Sequence, residues 1–496
     1  MLNLICERTE HFIQQMPKAQ RKEYGQFFTS KETARYMASL FNLPLQKREI
    51  RVLDAGAGSG ILSAALIERC NQYMDENTTI HVTCYENDPH IQHLLKENLQ
   101  LAVERSRCNV LIEVLDENYI VSQCNDFNHA LFCEVEKTKY DLIIGNPPYK
   151  KLGKDAPEAL AMPEICHGAP NLYFLFAAMG IYNLQEDSEM VYIIPRSWTS
   201  GAYFKNFRAY MFKHSVLTHI HLFGSRDKVF DKEKVLQETM IMRLKKTRTI
   251  PERITVSSTR TSHDFQQIRQ LEVPYSMVIS GRNKYVHLIT AEEEIEVLKK
   301  LKKLGYTLAD HGLKMKTGLV VDFRSRDLLC NEQREDTIPL IYSQHIKEGK
   351  IRFPQGREEE YIQKGKSTLM QENKNYLFVK RFTAKEESRR LQCGIYLKKY
   401  LPEYPFISSQ NKVNFIDGIQ EMSECVVYGL YVIFNSTLYD IYYRILNGST
   451  QVNSTEINSM PMPAMEIIEA MGKQLIANKD LSVAHCNQIL NSYIYE

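Results

Sequence analysis

The sequence predicts an α/β fold built on a doubly wound, mostly parallel sheet with helices on both faces. Residues 51 to 245 alternate strand-like and helix-like segments, beginning with the apolar run "IRVLDAGAGSG" and the helical pattern "ILSAALIERC". The later runs "IHVTCYEND", "YDLIIGN" and "MVYIIP" read as further strands. Because strands and helices follow one another as βαβ units, right-handed crossovers and a parallel sheet are expected.

Length and composition indicate a two-domain globular protein. The chain has 496 residues, of which 44% are hydrophobic and 25% charged, and single cores stop growing well below this length. The sequence shows no apolar run that would suit a membrane span and no signal-peptide pattern, so a cytoplasmic protein is expected. The 11 cysteines include no CxxC pair, so neither a zinc site nor a disulfide framework is predicted.

A change in composition near residue 246 predicts the domain boundary. The stretch "KKTRTIPERITVSSTRTSHD" is polar, basic and contains proline, as linkers often are. We therefore expect one domain over residues 1–245 and a second over 246–496. The second half mixes short strands and helices without a detectable repeat, which favours a mixed α+β domain.

The first strand ends in a glycine-rich loop, "LDAGAGSG". Asp54 lies at the strand end, and Gly56, Gly58 and Gly60 allow a sharp turn and a close approach of the backbone to a ligand. Alone, this loop favours a ligand site but would also suit a dinucleotide or a simple tight turn.

Acidic residues at two later positions narrow the choice of ligand. Glu86 ends the second strand, where a carboxylate can accept hydrogen bonds from a ribose diol. Asp126 is predicted at a third strand end, where it could accept from an adenine amino group while Phe127 packs on the ring. Together these groups predict a nucleoside pocket at the carboxyl edge of the sheet.

The run "IIGNPPYK" carries the strongest chemical signal. The side-chain amide of Asn146 and the carbonyl of Pro147 are hydrogen-bond acceptors, and Pro147 and Pro148 restrict the backbone that holds them. Two fixed acceptors suit a planar NH2 group, and Tyr149 could lie against the ring that bears it. This arrangement predicts activation of an amine without a strong base.

These motifs resemble those of γ-class adenine-N6 DNA methyltransferases, of which TaqI methylase is a member, and of stand-alone Type II modification enzymes such as PstI and BsuBI. The resemblance implies a class I methyltransferase domain, S-adenosylmethionine as cofactor, and site-specific methylation of a flipped adenine in double-stranded DNA. It also implies a separately encoded restriction endonuclease. In "YGQFFTSKETARYM", Tyr24, Gln26 and Thr29 would contact the methionine part, and Phe230 in "DKVFDKEKVLQETM" would pack on the target adenine.

The C-terminal half resembles the target-recognition domains of these enzymes. Its stretches "KNYLFVKRFTAKEESRR" and "YDIYYRILNGSTQVNSTEINSMPMP" supply basic and polar side chains. Basic groups suit phosphates and polar groups suit base edges, although the latter could equally form a turn. The predicted DNA-binding residues are Lys380, Arg381, Lys385, Arg389, Arg390, Asn447, Thr450, Gln451 and Asn453.

Two alternative functions are consistent with parts of this pattern. Methyltransferases that act on RNA adenine or protein glutamine use motifs similar to Asn-Pro-Pro-Tyr, since an amide or base NH2 needs the same acceptors. These enzymes generally lack a long C-terminal domain. A bifunctional restriction-modification enzyme would need a nuclease, and no convincing Asp…Glu-x-Lys constellation is found in the C-terminal half.

Overall fold

The structure of the chain is a computed structural model, and it describes residues 1–15, 17, 28–129, 138–224, 239–261, 265–365, 367–384, 387–447 and 450–494. The chain packs as two compact units, Met1–Thr290 and Ala291–Glu496. Among the described residues, no helix is long and apolar enough to cross a membrane.

A large mixed sheet forms the centre of the first unit. Its strands are β1 Glu49–Ala55, β2 Thr79–Tyr85, β3 Asn109–Leu115, β4 Tyr140–Gly145, β5 Leu184–Pro195, β6 Val216–Phe223, β7 Thr239–Lys245, β8 Arg253–Thr259 and β9 Arg269–Pro274. They lie in the order β3-β2-β1-β4-β5-β7-β6-β8-β9, and β3 through β5 are parallel. Ala55 pairs with Tyr85, and Tyr85 with Leu115, so these strands end at one edge.

Helices cover both faces of this sheet. They are α1 Leu2–Gln15, α2 Lys31–Ser39, α3 Ile61–Tyr73, α4 Pro89–Glu104, α5 Tyr119–Ser122, α6 Cys124–Phe127, α7 Pro157–Ala161, α8 Leu172–Asn183, α9 Lys205–His214 and α10 Tyr275–Val278. Their starts follow local capping chemistry: Ser30, Asp88 and Asn171 each accept a backbone N–H of the following turn. A small hairpin of β10 Ile279–Ser280 and β11 Tyr285–Val286 completes the unit.

A buried polar network ties α2 to strands β6 and β8. The hydroxyl of Ser257 lies 2.8 Å from Tyr36 Oη, 2.8 Å from His219 Nε2 and 2.9 Å from His221 Nδ1. Burial lowers the pKa of His219 to about 4 and that of His221 to about 3, so both imidazoles are neutral at pH 7. The network satisfies polar groups that would otherwise be costly inside the core.

The second unit combines two sheets with a helical layer. Its strands are β12 Leu313–Thr317, β13 Leu329–Cys330, β14 Thr337–Ile341, β15 Ile346–Lys347, β16 Lys350–Ile351, β17 Tyr361–Gln363, β18 Gln371–Glu372, β19 Tyr376–Lys380, β20 Cys393–Tyr396, β21 Phe406–Ser409 and β22 Val413–Gly418. One sheet has the order β12-β22-β19-β20-β16-β15 and the other β13-β17-β14-β21-β18. The helices are α11 Glu292–Leu301, α12 Glu424–Phe434, α13 Thr437–Leu446, α14 Ser454–Asn458, α15 Met465–Asn478 and α16 Val483–Ile494.

The division between the units falls after Thr290, whereas the sequence predicted a boundary after residue 245. The difference arises because the segment read as a linker contains β8, which pairs with β6 and extends the first sheet. Its composition is polar because β8 and β9 form the outer edge of that sheet.

Candidate active site

The glycine loop follows β1 and turns at the carboxyl edge of the sheet. Gly56, Gly58 and Gly60 have φ of +71°, +55° and +78°, a region that side-chain-bearing residues rarely adopt. The amides of Gly56 and Ala57 donate to the carbonyl of Tyr85 at 2.8 and 3.0 Å, which fastens the loop to β2. The loop therefore faces the ends of the neighbouring strands.

Glu86 directly follows β2 and faces a cavity of about 220 Å³. Its carboxylate is nearly buried and accepts the amides of Gly58 at 2.8 Å and Asp88 at 2.9 Å. Burial raises the pKa of Glu86 more than these two hydrogen bonds lower it. The cavity is lined by Phe28, Gly56, Gly58, Tyr85, Glu86, Asn87, Glu117, Asn118, Tyr119, Asn146, Pro148, Lys150, Leu152, Glu158, Leu172 and Phe176.

Asn146 follows β4 and is oriented by hydrogen bonds on both sides of its amide. Its Nδ2 donates to Thr29 Oγ1 at 3.1 Å, and Tyr149 Oη donates to its Oδ1 at 2.8 Å. Tyr149 Oη also lies 3.1 Å from the carbonyl oxygen of Ile193. Because Thr29 accepts from the amide nitrogen, the amide oxygen is presented as an acceptor on the other side.

Tyr149 is half-buried and packs against the unit's core and against the edge of Tyr173, with ring centroids 6.2 Å apart and an interplanar angle of 82°. Burial raises the pKa of Tyr149 far above its usual range, so its hydroxyl remains a neutral donor. Pro147 is buried, and Pro148 lines the cavity. Residues 146–149 thus form a rigid turn that packs against the core.

Curated proteins of known class resemble the chain along most of its length. It is 33% identical to the Type II methyltransferase M.PstI of Providencia stuartii, over 92% of this chain and 90% of that protein. It is 32% identical to M.BsuBI of Bacillus subtilis, over 92% of this chain and 91% of that protein. The chain belongs to the Type II methyltransferases. A family model described as "Eco57I restriction-modification methylase" also matches residues 17–230.

Solved structures support the fold of this Type II methyltransferase. The restriction-modification enzyme MmeI, solved in complex with DNA, aligns with a TM-score of 0.54 at 11% identity, over 93% of this chain and 72% of that one. The structure titled as a DrdV–DNA complex aligns with a TM-score of 0.50, over 96% and 59% of the two chains. The predicted α/β class I fold followed by a mixed α+β unit is confirmed, as are the family resemblance and the enzyme class.

Several predicted cofactor residues meet around the cavity, and others lie elsewhere. Gly56, Gly58 and Glu86 line it. Asp54 is fully buried behind the loop, where Ser63 Oγ donates to it at 2.7 Å, and burial raises its pKa to about 7. Gly60 directly precedes α3, and a Cβ there would lie 2.8 Å from a side-chain atom of Leu95, so this glycine allows close packing of α3 and α4.

The prediction that Asp126 and Phe127 follow a third strand was wrong. They lie in helix α6, and Phe127 packs on Tyr182 with ring centroids 5.3 Å apart. The strand β3 ends earlier, at Leu115, and is followed by the cavity residues Glu117 and Asn118. The alternating run "NVLIEVL" before "DENY" was the signal that could have located this strand end.

Three further site predictions, Tyr24, Gln26 and Phe230, lie outside the residues that the structure describes. Thr29 is described, and it contacts Asn146. In the part of the chain that the structure describes, no group of three or more His, Cys, Asp or Glu side chains is arranged to hold a metal ion.

The second unit buries some of the residues predicted to contact DNA. Arg390 is fully buried, donates to Thr383 Oγ1 and Asn447 Oδ1, and stands over the Tyr443 ring with Cζ 5.5 Å from its centroid. Asn447 is also fully buried and contacts Glu456. The prediction that Arg390 and Asn447 contact DNA is corrected, because their side chains bond to each other and to other buried groups inside the unit.

The remaining predicted residues of this unit differ in their contacts. Arg389 donates to the carbonyls of Phe434 and Ser436, and Asn453 donates to Glu456, so both help to hold the unit together. Lys385 lies outside the described residues. The others lie near one edge of the first sheet of this unit: Lys380, Arg381, Thr450 and Gln451.

Proposed function

We propose that this Type II methyltransferase transfers a methyl group from S-adenosylmethionine to the N6 amine of a flipped adenine in a short duplex sequence. Methylation there would protect DNA from a restriction endonuclease encoded separately. The observation that carries the proposal is the oriented amide of Asn146, which lines the same cavity as Glu86.

The residues around the cavity suit S-adenosylmethionine. Gly56 and Gly58 leave room for a ligand, since a Cβ at Gly58 would meet nothing within 4 Å. Glu86 would hold the ribose hydroxyls, because its nearly buried carboxylate is fixed by two amides. Glu117, an exposed carboxylate on the cavity wall after β3, replaces Asp126 as the residue proposed to accept the adenine amino group.

Bound S-adenosylmethionine supplies an electrophilic methyl group. Asn146 Oδ1 and the carbonyl of Pro147 would each accept one N–H of the target amine, which holds the nitrogen lone pair in line for attack. Attack by the amine nitrogen would form the new N–C bond as the sulfonium S–C bond breaks, so that S-adenosylhomocysteine leaves. Neither acceptor is a strong base, so the proton that the amine loses would pass to solvent. Catalysis by this chain is then mainly positioning and electrostatic stabilisation.

The target adenine must leave the duplex, at a cost of a few kcal/mol. Contacts with aromatic side chains, at about 1 to 3 kcal/mol per stacked base, would offset this cost. In the sequence-based hypothesis Tyr149 and Phe230 supply them. Since the Tyr149 hydroxyl already holds the Asn146 amide, one residue would both orient the acceptor and contact the base.

The decisive experiment incubates the purified protein with methyl-labelled S-adenosylmethionine and unmodified duplex DNA, then maps modified bases by single-molecule sequencing. N6-methyladenine confined to one short repeated motif is expected. Label that appears only on RNA, or only on a protein glutamine, would refute DNA as the substrate. Magnesium-dependent cleavage of the same DNA would show a bifunctional restriction enzyme instead.

A further inference from the structure

Three strand ends meet at one edge of the first sheet of the second unit. Strand β22 is antiparallel to both β12 and β19, so β22 begins where β12 and β19 end. The chain segments at this edge carry an unusual combination of exposed phenylalanines and cations. We call this set the aromatic-basic rim, and it consists of Phe323, Arg324, Arg381, Phe382 and Lys412.

Hydrogen bonds connect the segments that carry the rim. Arg381 N donates to the Lys412 carbonyl at 3.0 Å, and Arg381 Nη1 donates to the Asn411 carbonyl at 2.9 Å. Asn411 N donates in turn to the Val320 carbonyl at 2.8 Å, next to the turn that holds Phe323. Phe382 forms a β-bridge with Gln451, which brings the polar Thr450–Gln451 segment to the same edge.

Four of the rim side chains, Phe323, Arg324, Phe382 and Lys412, are exposed, and Arg381 is half-buried. Phe323 is 68% and Phe382 46% exposed. Each has an arginine beside it: the guanidinium of Arg324 lies 5.4 Å from the Phe323 ring centroid, and that of Arg381 lies 5.5 Å from the Phe382 centroid. A single exposed phenylalanine is ordinary, but two at one edge, each beside an arginine, suit a ligand with both flat apolar faces and negative charge.

Two other lysines of this unit lie close to carboxylates. Lys398 contacts Glu421 at 2.9 Å, and Lys316 contacts Asp417 at 2.7 Å. At the rim, Lys412 lies 3.8 Å from Asp322, whose carboxylate also accepts from Gln410. The contact between Lys412 and Asp322 is thus longer than the other two, and Gln410 donates to the same carboxylate oxygen. The Lys412 ammonium group is therefore well placed to bind a phosphate.

We propose that the aromatic-basic rim is the surface with which this unit contacts duplex DNA. The proposal rests on the proposed function and goes further, because it moves the contact away from the buried Arg390 and Asn447 and adds residues that the motif comparison did not mark. The cations would contact phosphates, and the phenylalanine rings would contact base or sugar edges in a groove. Gln451 lies beside Phe382, where it could reach a base edge.

The test uses the full-length protein, labelled S-adenosylmethionine and plasmid DNA free of adenine methylation. Phe382→Ala should raise the KM for DNA at least fivefold, by analogy with the loss of base–aromatic contacts, while cofactor affinity stays unchanged. Arg324→Ala and Lys412→Ala should each reduce the salt slope of binding to a fluorescent fragment of that plasmid by about one. Phe382→Trp keeps an aromatic face and should restore binding.

Matched controls separate a loss of contact from a loss of structure. Phe406→Ala removes a ring of similar exposure, 39%, from the first residue of β21, whereas the rim residue Lys412 lies beyond the last residue of that strand. Lys398→Ala removes a lysine that is paired with Glu421. Both should behave like the parent. The rim is refuted if the parent methylates the plasmid while the Phe382, Arg324 and Lys412 variants keep the parent's KM and salt slope, or if the controls lose as much. No methylation by the parent would instead refute the proposed function, and the rim proposal with it.

Discussion

Replacing Asn146 by alanine tests the proposed chemistry most directly. The substitution removes the amide oxygen that would accept one N–H of the target amine, and it leaves the Pro147 carbonyl in place. Among the described residues, it also removes the hydrogen bonds from Asn146 Nδ2 to Thr29 and from Tyr149 to Asn146 Oδ1. The Tyr149 hydroxyl can still donate to the Ile193 carbonyl at 3.1 Å.

The two effects differ in size. Loss of one preorganised hydrogen-bonding group at a reacting centre lowers kcat about 10² to 10³-fold, or about 2.7 to 4 kcal/mol in the barrier. Loss of two neutral hydrogen bonds, one of them replaceable, should cost about 1 to 2 kcal/mol of folding free energy. The variant is therefore expected to fold, and its cofactor affinity should stay within about threefold because Glu86 and the glycine loop are unchanged.

Single-turnover methyl transfer at saturating S-adenosylmethionine measures the barrier, and calorimetric titration measures cofactor affinity. The matched control is Asn109→Ala, which breaks a similar bond, from Asn109 Nδ2 to Thr79 Oγ1 at 3.2 Å, at the amino end of β3. The control should retain the parent rate. A transfer rate for Asn146→Ala within threefold of the parent would show that its amide is not the acceptor.

Further predictions concern titration and stability. Because burial raises the pKa of Glu86, the affinity for the cofactor should fall as pH drops through that raised value. Glu86→Gln should weaken cofactor binding at least tenfold at pH 8 and should flatten the dependence of binding on pH. A pH dependence equal to the parent's would exclude Glu86 as the ribose acceptor. The buried, neutral His221 takes up its proton more readily when unfolded, at pKa 6.5, than when folded, at about 3. Stability should thus be lost as pH falls below 6.5, and urea unfolding of His221→Gln should show a pH slope smaller by about 1.4 kcal/mol per unit between pH 6 and 4; equal slopes would contradict the burial argument. Arg390→Ala removes a buried cation that bonds Thr383 and Asn447, and it should lower the free energy of unfolding, measured in urea, by about 3 kcal/mol or more. Under conditions in which the variant is folded, its affinity for DNA should equal the parent's. A selective loss of DNA affinity would favour the original interpretation of Arg390 as a phosphate contact.

Local patterns were enough to predict the strands that carry the proposed site residues. Each of β1, β2 and β4 is a short, largely apolar run. A glycine follows β1, an acid follows β2 and the Asn-Pro-Pro-Tyr turn follows β4, so the end of each strand could be located in the sequence. Strand β3 was missed because its outward residues are exposed and Leu111 is 49% accessible, which weakens the apolar signal at a sheet edge. Asp126 was consequently taken for the residue of a strand end that Glu117 and Asn118 occupy.

The sequence by itself determined the enzyme family, the parallel sheet and the Asn-Pro-Pro-Tyr turn that we propose binds the target amine, because these depend on short-range spacing and on rigid residue types. Only the tertiary structure decided which charged side chains are exposed. Arg390 is buried because Asp440, 50 residues further along the chain, accepts its backbone amide, and Asn447 accepts from its guanidinium. Phe382, eight residues before Arg390, is exposed, and it lies beyond the last residue of β19, where the chain leaves the sheet. Burial depends on partners that are distant in sequence, and the spacing of residues along one chain does not reveal them.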